Sequence, residues 1–88
     1  MANRIAIIGS PISHGGVVIT GSPNWDCDGQ PIARANIDLV DCAIHGVNPI
    51  VTGSSDWDVD GHPMARVSSV TACGATIIDG SPNWDVSG

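Results

Sequence analysis

Short runs of β-branched residues, each followed within a few positions by glycine and serine, recur along the chain. Runs of this length that are bounded by turn residues are typical of β-strands. No window repeats its apolar residues at the spacing of an amphipathic helix. We therefore predict an all-β protein built from short strands and tight turns. The runs lie at residues 17–20, 50–52 and 76–78.

An internal repeat organises these runs. A segment that opens with Asn-Trp-Asp or Asp-Trp-Asp begins at residues 24, 56 and 83, so that all three tryptophans hold the same repeat position. In the first two copies an Asp-Gly pair follows, which favours a tight hairpin turn because glycine adopts positive φ without a steric cost. Proline stands two residues after this glycine, at Pro31 and Pro63. It donates no backbone hydrogen bond, so it is expected at the start or on the edge of a strand. Each copy is predicted to fold as a strand, a turn, a strand, a turn and a strand.

The second copy also resembles the opening of a calcium loop. Asp56, Asp58 and Asp60 alternate and are followed by Gly61, as in an EF-hand. That loop needs a glutamate at its twelfth position, where this chain has Val67, and a helix on either side. We interpret the segment as a hairpin turn with solvated aspartates, and weak surface calcium binding is the alternative.

Length and charge narrow the function classes. We expect residues 1–88 to form one domain, with a lead-in of residues 1–13 and repeats at about 14–41, 42–71 and 72–88. The net charge of -6, with three basic residues, argues against nucleic acid as a partner. No signal peptide and no membrane span is predicted, so synthesis in the cytoplasm is expected.

A core without Phe or Tyr is small for this length, and small chains often need a disulfide, a metal ion or oligomerisation. In a reducing cytoplasm a metal is favoured over a structural disulfide among the three cysteines. The three tryptophans are expected to pack in the body of the protein, with membrane contact as the alternative.

The repeat suggests which residues meet. If the chain shuttles between two ends with strands of similar length, the Gly-Ser turns fall at one end and every histidine falls at the other, with one cysteine. Imidazole and thiolate are both suitable zinc ligands, which predicts a closed, structural, tetrahedral site. If His62 is not a ligand, Cys42 is the alternative, since it lies three residues before His45, a spacing that can chelate a metal. The predicted ligands are His14, His45, His62 and Cys73.

The chain resembles a known family at several spaced segments. Residues 30–34 (Gln-Pro-Ile-Ala-Arg) and 62–66 (His-Pro-Met-Ala-Arg) look like the Pro-Ala-Ala-Arg signature of the PAAR-repeat proteins, with Ile32 and Met64 in place of one alanine. The His-Gly and Cys-Gly pairs, each followed by a Gly-Ser turn, resemble the other recurrent pieces of that family. The resemblance covers the chain from His14 to its last residue.

The resemblance implies a small conical β-structure of short hairpins in about three pseudo-threefold repeats, stapled by zinc near the apex. It implies the same four ligands, His14, His45, His62 and Cys73. Such a protein binds the blunt end of the trimeric β-helical spike of a contractile injection machine and gives the spike a sharp tip, with one tip per trimer. The spike is VgrG in type VI secretion or the central spike protein of a phage tail.

The resemblance also implies delivery outside the cell with the spike, or a place in the virion tail, and transient contact with a target membrane. The Gly-Ser turns, expected at the wider end, are candidate spike contacts; they lie at residues 21–23, 53–55 and 80–82. No long extension is seen in these residues, so a bare tip is expected, with effector cargo as a further possibility. The alternatives are a stand-alone zinc-binding protein or a zinc hydrolase. No enzyme activity is expected, because a fourth protein ligand fills the position that catalysis needs and the chain has no glutamate.

Overall fold

The computed structural model describes residues 3–86, which form short β-strands and turns and contain no helix. This confirms the all-β prediction. Accordingly, nothing within this span offers a helix that is long and apolar enough to cross a membrane. The strands are β1 (Asn3–Arg4), β2 (Gly16–Val18), β3 (Asp26–Cys27), β4 (Gln30–Pro31), β5 (Leu39–Cys42), β6 (Gly46–Pro49), β7 (Asp58–Val59), β8 (His62–Pro63) and β9 (Asp85–Val86).

All strand pairs are antiparallel. Strands β2, β5 and β6 form a three-stranded sheet with β5 in the centre, and β3 pairs with β4 and β7 with β8 as two hairpins. The Asp-Gly turns of both hairpins have positive φ at both residues, 55° and 78° at Asp28 and Gly29, and 54° and 81° at Asp60 and Gly61. This backbone is that of a type I′ turn, whose twist matches the flanking strands.

The N-terminal residues complete the third copy of the repeat. We predicted a lead-in here, but β1 pairs with β9, the two-residue strand of the third tryptophan segment. The register is the same as in the two hairpins, although the two strands come from opposite ends of the chain. The equivalent pairs are Asp26 with Pro31, Asp58 with Pro63, and Asp85 with Arg4.

Three alanines join the copies around a pseudo-threefold axis. The amide of Ala6 donates to the carbonyl of Ala65 at 2.9 Å, Ala65 donates to Ala33 at 3.0 Å, and Ala33 donates back to Ala6 at 2.9 Å. All three residues are fully buried. The three backbones therefore form a closed hydrogen-bonded ring, and the alanine methyl group is the side chain present where they converge.

Two apolar clusters lie about this ring. The tryptophan-side cluster consists of Ile5, Ile32, Val59, Met64 and Val86, with Trp84 packed against it. Neighbouring residues of an extended chain point to opposite faces, so the residues that precede the three alanines point away from the alanine methyl groups. The metal-side cluster consists of Ala6, Ile12, Val18, Ala33, Ala35, Val40, Cys42, Ile50, Ala65, Ala75 and Ile77, with Cys73 packed against it.

The tryptophans differ from the sequence prediction. Trp25 and Trp57 are 53% and 51% exposed, and Trp84 is half-buried, so the prediction that they pack inside the body is wrong for the first two. The residues two positions after the tryptophans, Cys27, Val59 and Val86, are the ones that pack on the apolar cluster, and the rings of Trp25 and Trp57 lie largely outside it.

The predicted shuttle between two ends is also wrong. Ser22 donates a hydrogen bond to Asp60, and Ser81 donates one to Asp28, so the Gly-Ser and Asp-Gly turns of neighbouring copies lie against each other. The strands between these turns have two residues and span about 7 Å. The molecule extends 29 × 27 × 22 Å, so such strands are too short to cross it.

Arg34 joins two copies through its side chain. Its guanidinium donates to both oxygens of Asp38, at 2.7 and 3.1 Å, and to Asp60 at 3.1 Å. The hydrogen bond to Asp38 is the largest cause of a raised Arg34 pKa. The equivalent residue Arg66 has Val70 where Arg34 has Asp38, and its buried Nε has no partner among residues 3–86.

We expect Arg34→Ala to lower the free energy of unfolding by about 3–5 kcal/mol, because Asp38 is 2% exposed and would lose its only cationic partner in the described chain. Arg66→Ala should cost less than about 1.5 kcal/mol, since it breaks no ion pair there and removes mainly side-chain packing. Urea unfolding of the two variants measures the difference. Equal losses would contradict the role assigned to the Arg34 ion pairs.

A second pair of variants tests the close approach of β2 to β5. Gly16 and Gly29 have φ of 105° and 78°, so alanine is strained at both positions. A Cβ at Gly16 would lie 1.8 Å from the carbonyl oxygen of Asp41, whereas a Cβ at Gly29 meets nothing within 4 Å. Gly29→Ala should cost about 1–2 kcal/mol, and Gly16→Ala should cost at least about 2 kcal/mol more. Thermal unfolding of both variants provides the comparison, and equal costs would rule out the steric account.

Candidate metal centre

The central strand β5 ends in a cysteine that pairs with a glycine of each neighbouring strand. Cys42 pairs with Gly16 of β2 and with Gly46 of β6. The hairpin from β5 to β6 brings His45 back beside Cys42, and the turn before β2 brings His14 to its other side. The local chain direction thus directs two imidazoles toward one buried thiol.

The turn glycines follow a pattern within this site. His14, His45 and Cys73 are each followed by a glycine, and the φ values of Gly15, Gly46 and Gly74 are 78°, 79° and 88°. A side chain at positive φ is strained, so glycine lets the chain reverse directly after each of these residues. The predicted repeat position of the His-Gly and Cys-Gly pairs therefore corresponds to one recurring turn.

Four donor atoms converge here. The donor atoms of His14, Cys42, His45 and Cys73 all lie within 4.8 Å of one another. The Sγ of Cys42 lies 3.8 Å from Nδ1 of His14 and 3.5 Å from Nδ1 of His45, and the Sγ of Cys73 lies 3.9 Å from Nδ1 of His14. The two imidazole centroids are 5.3 Å apart. We call these four residues the His2Cys2 group.

This spacing fits a tetrahedral metal ion. With Zn–S of about 2.3 Å and Zn–N of about 2.0 Å, the S···N separations in a tetrahedron are about 3.5 Å and the S···S separation is about 3.8 Å. The three S···N distances in the His2Cys2 group, 3.5 to 3.9 Å, are close to this value. Two imidazoles and two thiols are also a ligand set that suits zinc in structural sites.

Polar neighbours hold Cys73 in position. Its amide donates to Oδ1 of Asn48 at 3.1 Å, and its Sγ lies 3.2 Å from the hydroxyl of the buried Thr71. The hydrogen bond with Thr71 is the largest cause that lowers the pKa of the Cys73 thiol to about 6, with smaller contributions from the Ala75 backbone, Cys42 and His14, against the opposing effect of burial. These contacts favour the thiolate, the form that binds metals.

The structure brings together three of the four predicted ligands and the substitute. His14, His45 and Cys73 belong to the His2Cys2 group, and Cys42 is its fourth member. His62 instead pairs with Val59 in the hairpin of β7 and β8, and Val59 packs in the tryptophan-side cluster. The Cys-x-x-His spacing of Cys42 and His45 was the sequence signal for the fourth donor.

Comparison with known proteins identifies the family of the chain. No curated protein is significantly similar to the chain. A family model described as the PAAR motif matches residues 8–79 of the 88 residues. The match includes all four residues of the His2Cys2 group and both copies of the Pro-x-Ala-Arg segment. The chain therefore belongs to the PAAR-motif family.

Proposed function

We propose that this protein is the structural tip of the spike of a contractile injection machine. The observation that carries the proposal is the pseudo-threefold body, closed by the alanine ring, with the His2Cys2 group at one end and the three tryptophan segments outside the other apolar cluster. Three equivalent strand pairs, two hairpins and the pair of β1 with β9, match a partner made of three identical chains, because each strand pair meets the same surface on one chain.

We propose zinc as the metal and His14, Cys42, His45 and Cys73 as its ligands. The S···N distances and the mixed imidazole and thiolate chemistry support this set. The ligand set that the resemblance implies, with His62 in place of Cys42, remains a prediction. When bound, zinc supplies binding free energy that becomes folding free energy, on the order of 10 kcal/mol in small zinc peptides.

The proposed role of the metal is structural and not catalytic. Four protein donors complete a tetrahedron, whereas a catalytic zinc keeps one position for water or substrate. The chain also has no glutamate to serve as a general base. A tip driven into an envelope needs resistance to unfolding, and a metal cross-link between Cys42, Cys73 and the two histidine turns contributes that resistance where little apolar volume is available.

The proposed partner is the blunt end of a trimeric β-helical spike, either VgrG of a type VI secretion system or the central spike protein of a phage tail. One tip binds one trimer. The tip is made in the cytoplasm, is assembled on the spike, and leaves with it, in transient contact with the target membrane. Family membership supports this role, and effector cargo belongs to the same proposal.

Metal analysis of four single variants tests the ligand set. We expect Cys42→Ser and Cys73→Ser to lose the one tightly held zinc per chain, since each removes a thiolate. His62→Ala should keep it. Cys27→Ser is the matched control, because Cys27 is a thiol outside the His2Cys2 group. Elemental analysis after dialysis against a weak chelator gives the stoichiometry.

Retention of zinc by Cys42→Ser together with its loss from His62→Ala would instead assign the fourth ligand to His62. No stoichiometric metal in well-folded wild-type protein would contradict the metal proposal.

In the zinc-loaded protein, a strong chelator should lower the unfolding temperature by more than 10 °C, as expected for loss of several kcal/mol from a chain of about 90 residues.

Light scattering of the protein mixed with a trimeric spike tests the partner. We expect a stable complex of one tip and three spike chains, with zinc retained. A stand-alone zinc buffer would exchange its zinc rapidly and form no such complex. Absence of a complex with spikes of both classes would refute the tip proposal.

A further inference from the structure

We propose that Trp25, Trp57 and Trp84 form the apolar centre of the surface that docks on the spike, and that Asp26, Asp58 and Asp85 surround it. The partner surface is then threefold-symmetric, apolar at its centre, and lined by lysine or arginine at its edge. This inference rests on the proposed function and specifies the contacts of that proposed interface.

Matching backbone bonds give the three tryptophans equivalent positions. The carbonyl of Trp25 accepts from Ile32 at 2.9 Å. The carbonyl of Trp57 accepts from Met64 at 2.9 Å, and that of Trp84 accepts from Ile5 at 3.1 Å. The donors are the residues that precede the three ring alanines, so the tryptophans lie at one level along the pseudo-threefold axis.

The indole rings extend the tryptophan-side cluster to the surface. Side chains alternate along a strand, so each tryptophan shares a face with the residue two positions later, which is Cys27, Val59 or Val86. Those residues contact the cluster. Trp84 also packs there and meets Trp57 edge-on at 6.4 Å, while Trp25 and Trp57 remain about half exposed.

Half-exposed tryptophans on a folded core are suited to protein contacts. Tryptophan is enriched among the residues that contribute most to binding at protein interfaces, particularly near their centres. An exposed apolar area with a polar rim is the usual arrangement of such a surface. Two indoles at 53% and 51% exposure, in equivalent positions, therefore mark this end as the binding end.

The charge around the indoles identifies the partner. Six of the nine aspartates lie in the three tryptophan segments. Asp28 and Asp60 are bonded within the fold to Ser81 and Ser22. The three that directly follow the tryptophans are exposed, and none of them forms an ion pair within residues 3–86; these are Asp26, Asp58 and Asp85.

An acidic rim selects a basic partner. Complementary charge raises the association rate, whereas like charge opposes binding. A second copy of this chain would bring two acidic rims together, and an anionic lipid surface would be repelled by the same aspartates. A threefold protein surface with basic side chains at its edge fits both the charge and the symmetry.

The serines of the Gly-Ser turns are unavailable for this contact. Ser22, Ser54 and Ser81 are 1%, 2% and 1% exposed. Ser22 accepts hydrogen bonds from the amides of Asn24 and Trp25, and Ser54 accepts equivalent bonds from Asp56 and Trp57. These serines hold the tryptophan segments in position, and the exposed residues after them make the surface.

The test uses the whole zinc-loaded chain and two trimeric probes. One probe is a soluble homotrimeric β-helix whose blunt end has an apolar centre and one lysine per chain around it. The second probe is identical except that glutamate replaces each of these lysines. Affinities and association rates are measured at two salt concentrations, and zinc content and thermal unfolding verify that every variant is folded.

Wild-type protein should bind the lysine probe, as one chain per trimer, at least about 100-fold more tightly than the glutamate probe. The double variant Trp25→Ala and Trp57→Ala should weaken binding by about 100-fold or more. The triple variant Asp26→Asn, Asp58→Asn and Asp85→Asn should mainly slow association, by about tenfold, and reduce its salt dependence.

Two variants at the other end serve as controls. Ile44→Ala removes an exposed side chain from the hairpin that carries His45, and Asp41→Asn removes an exposed carboxylate from β5. Both should bind as wild type does. A charge exchange adds a gain of function: the triple variant Asp26→Lys, Asp58→Lys and Asp85→Lys should bind the glutamate probe more tightly than the wild type does.

The outcomes separate the two proposals. If wild-type protein binds as one chain per trimer but the tryptophan and aspartate variants are unchanged, the docking surface is elsewhere and the tip role stands. If wild-type protein binds neither probe and no natural spike, both proposals fail. Self-association, or binding to anionic vesicles that depends on Trp25 and Trp57, would overturn the assignment of the partner.

Discussion

Three backbone hydrogen bonds between Ala6, Ala33 and Ala65 hold this fold together. Three chain segments converge on one axis, and each segment donates to one neighbour and accepts from the other, so no copy forms its bonds without the other two. The side chain at each of these positions is a fully buried methyl group. The larger residues before the alanines, Ile5, Ile32 and Met64, then point to the opposite side, where they form the tryptophan-side cluster.

The pseudo-threefold symmetry is closer at the tryptophan end of the molecule than at the His2Cys2 end. Around the tryptophans the three copies are nearly equivalent in backbone bonding. At the His2Cys2 group each copy contributes one residue before a positive-φ glycine, and Cys42 is an additional donor from the centre of the sheet. The ion pairs are asymmetric as well, since Arg34 has two carboxylate partners and Arg66 has Val70 in the equivalent place. One ion needs four donors, and a strict threefold arrangement supplies multiples of three.

Much of the fold could be predicted from the repeat. The Asp-Gly pairs predicted the hairpins at Asp28 and Asp60 because their local conformation is set by neighbouring residues. The closure by β1 was missed, since Asn3 and Arg4 carry no tryptophan or Asp-Gly signal and their pairing joins distant parts of the chain. The predicted shuttle between two ends is wrong because two-residue strands do not cross the molecule. It therefore could not place His62. The three-residue spacing of Cys42 and His45 is local, and it indicated Cys42 from the sequence.

The pairing of β1 with β9 joins residues more than eighty positions apart in the sequence. A ribosome synthesises the chain from its N-terminus, so β1 cannot pair with β9 until nearly all of residues 3–86 have emerged. The sheet of β2, β5 and β6 and the residue Cys73 all lie before β9 in the sequence, so they emerge earlier. Contacts between distant residues also form more slowly than local ones. The chain therefore emerges in an order: the residues of the His2Cys2 group come before the pairing of β1 with β9 is possible, so an interrupted chain lacks the third copy of the tryptophan segment.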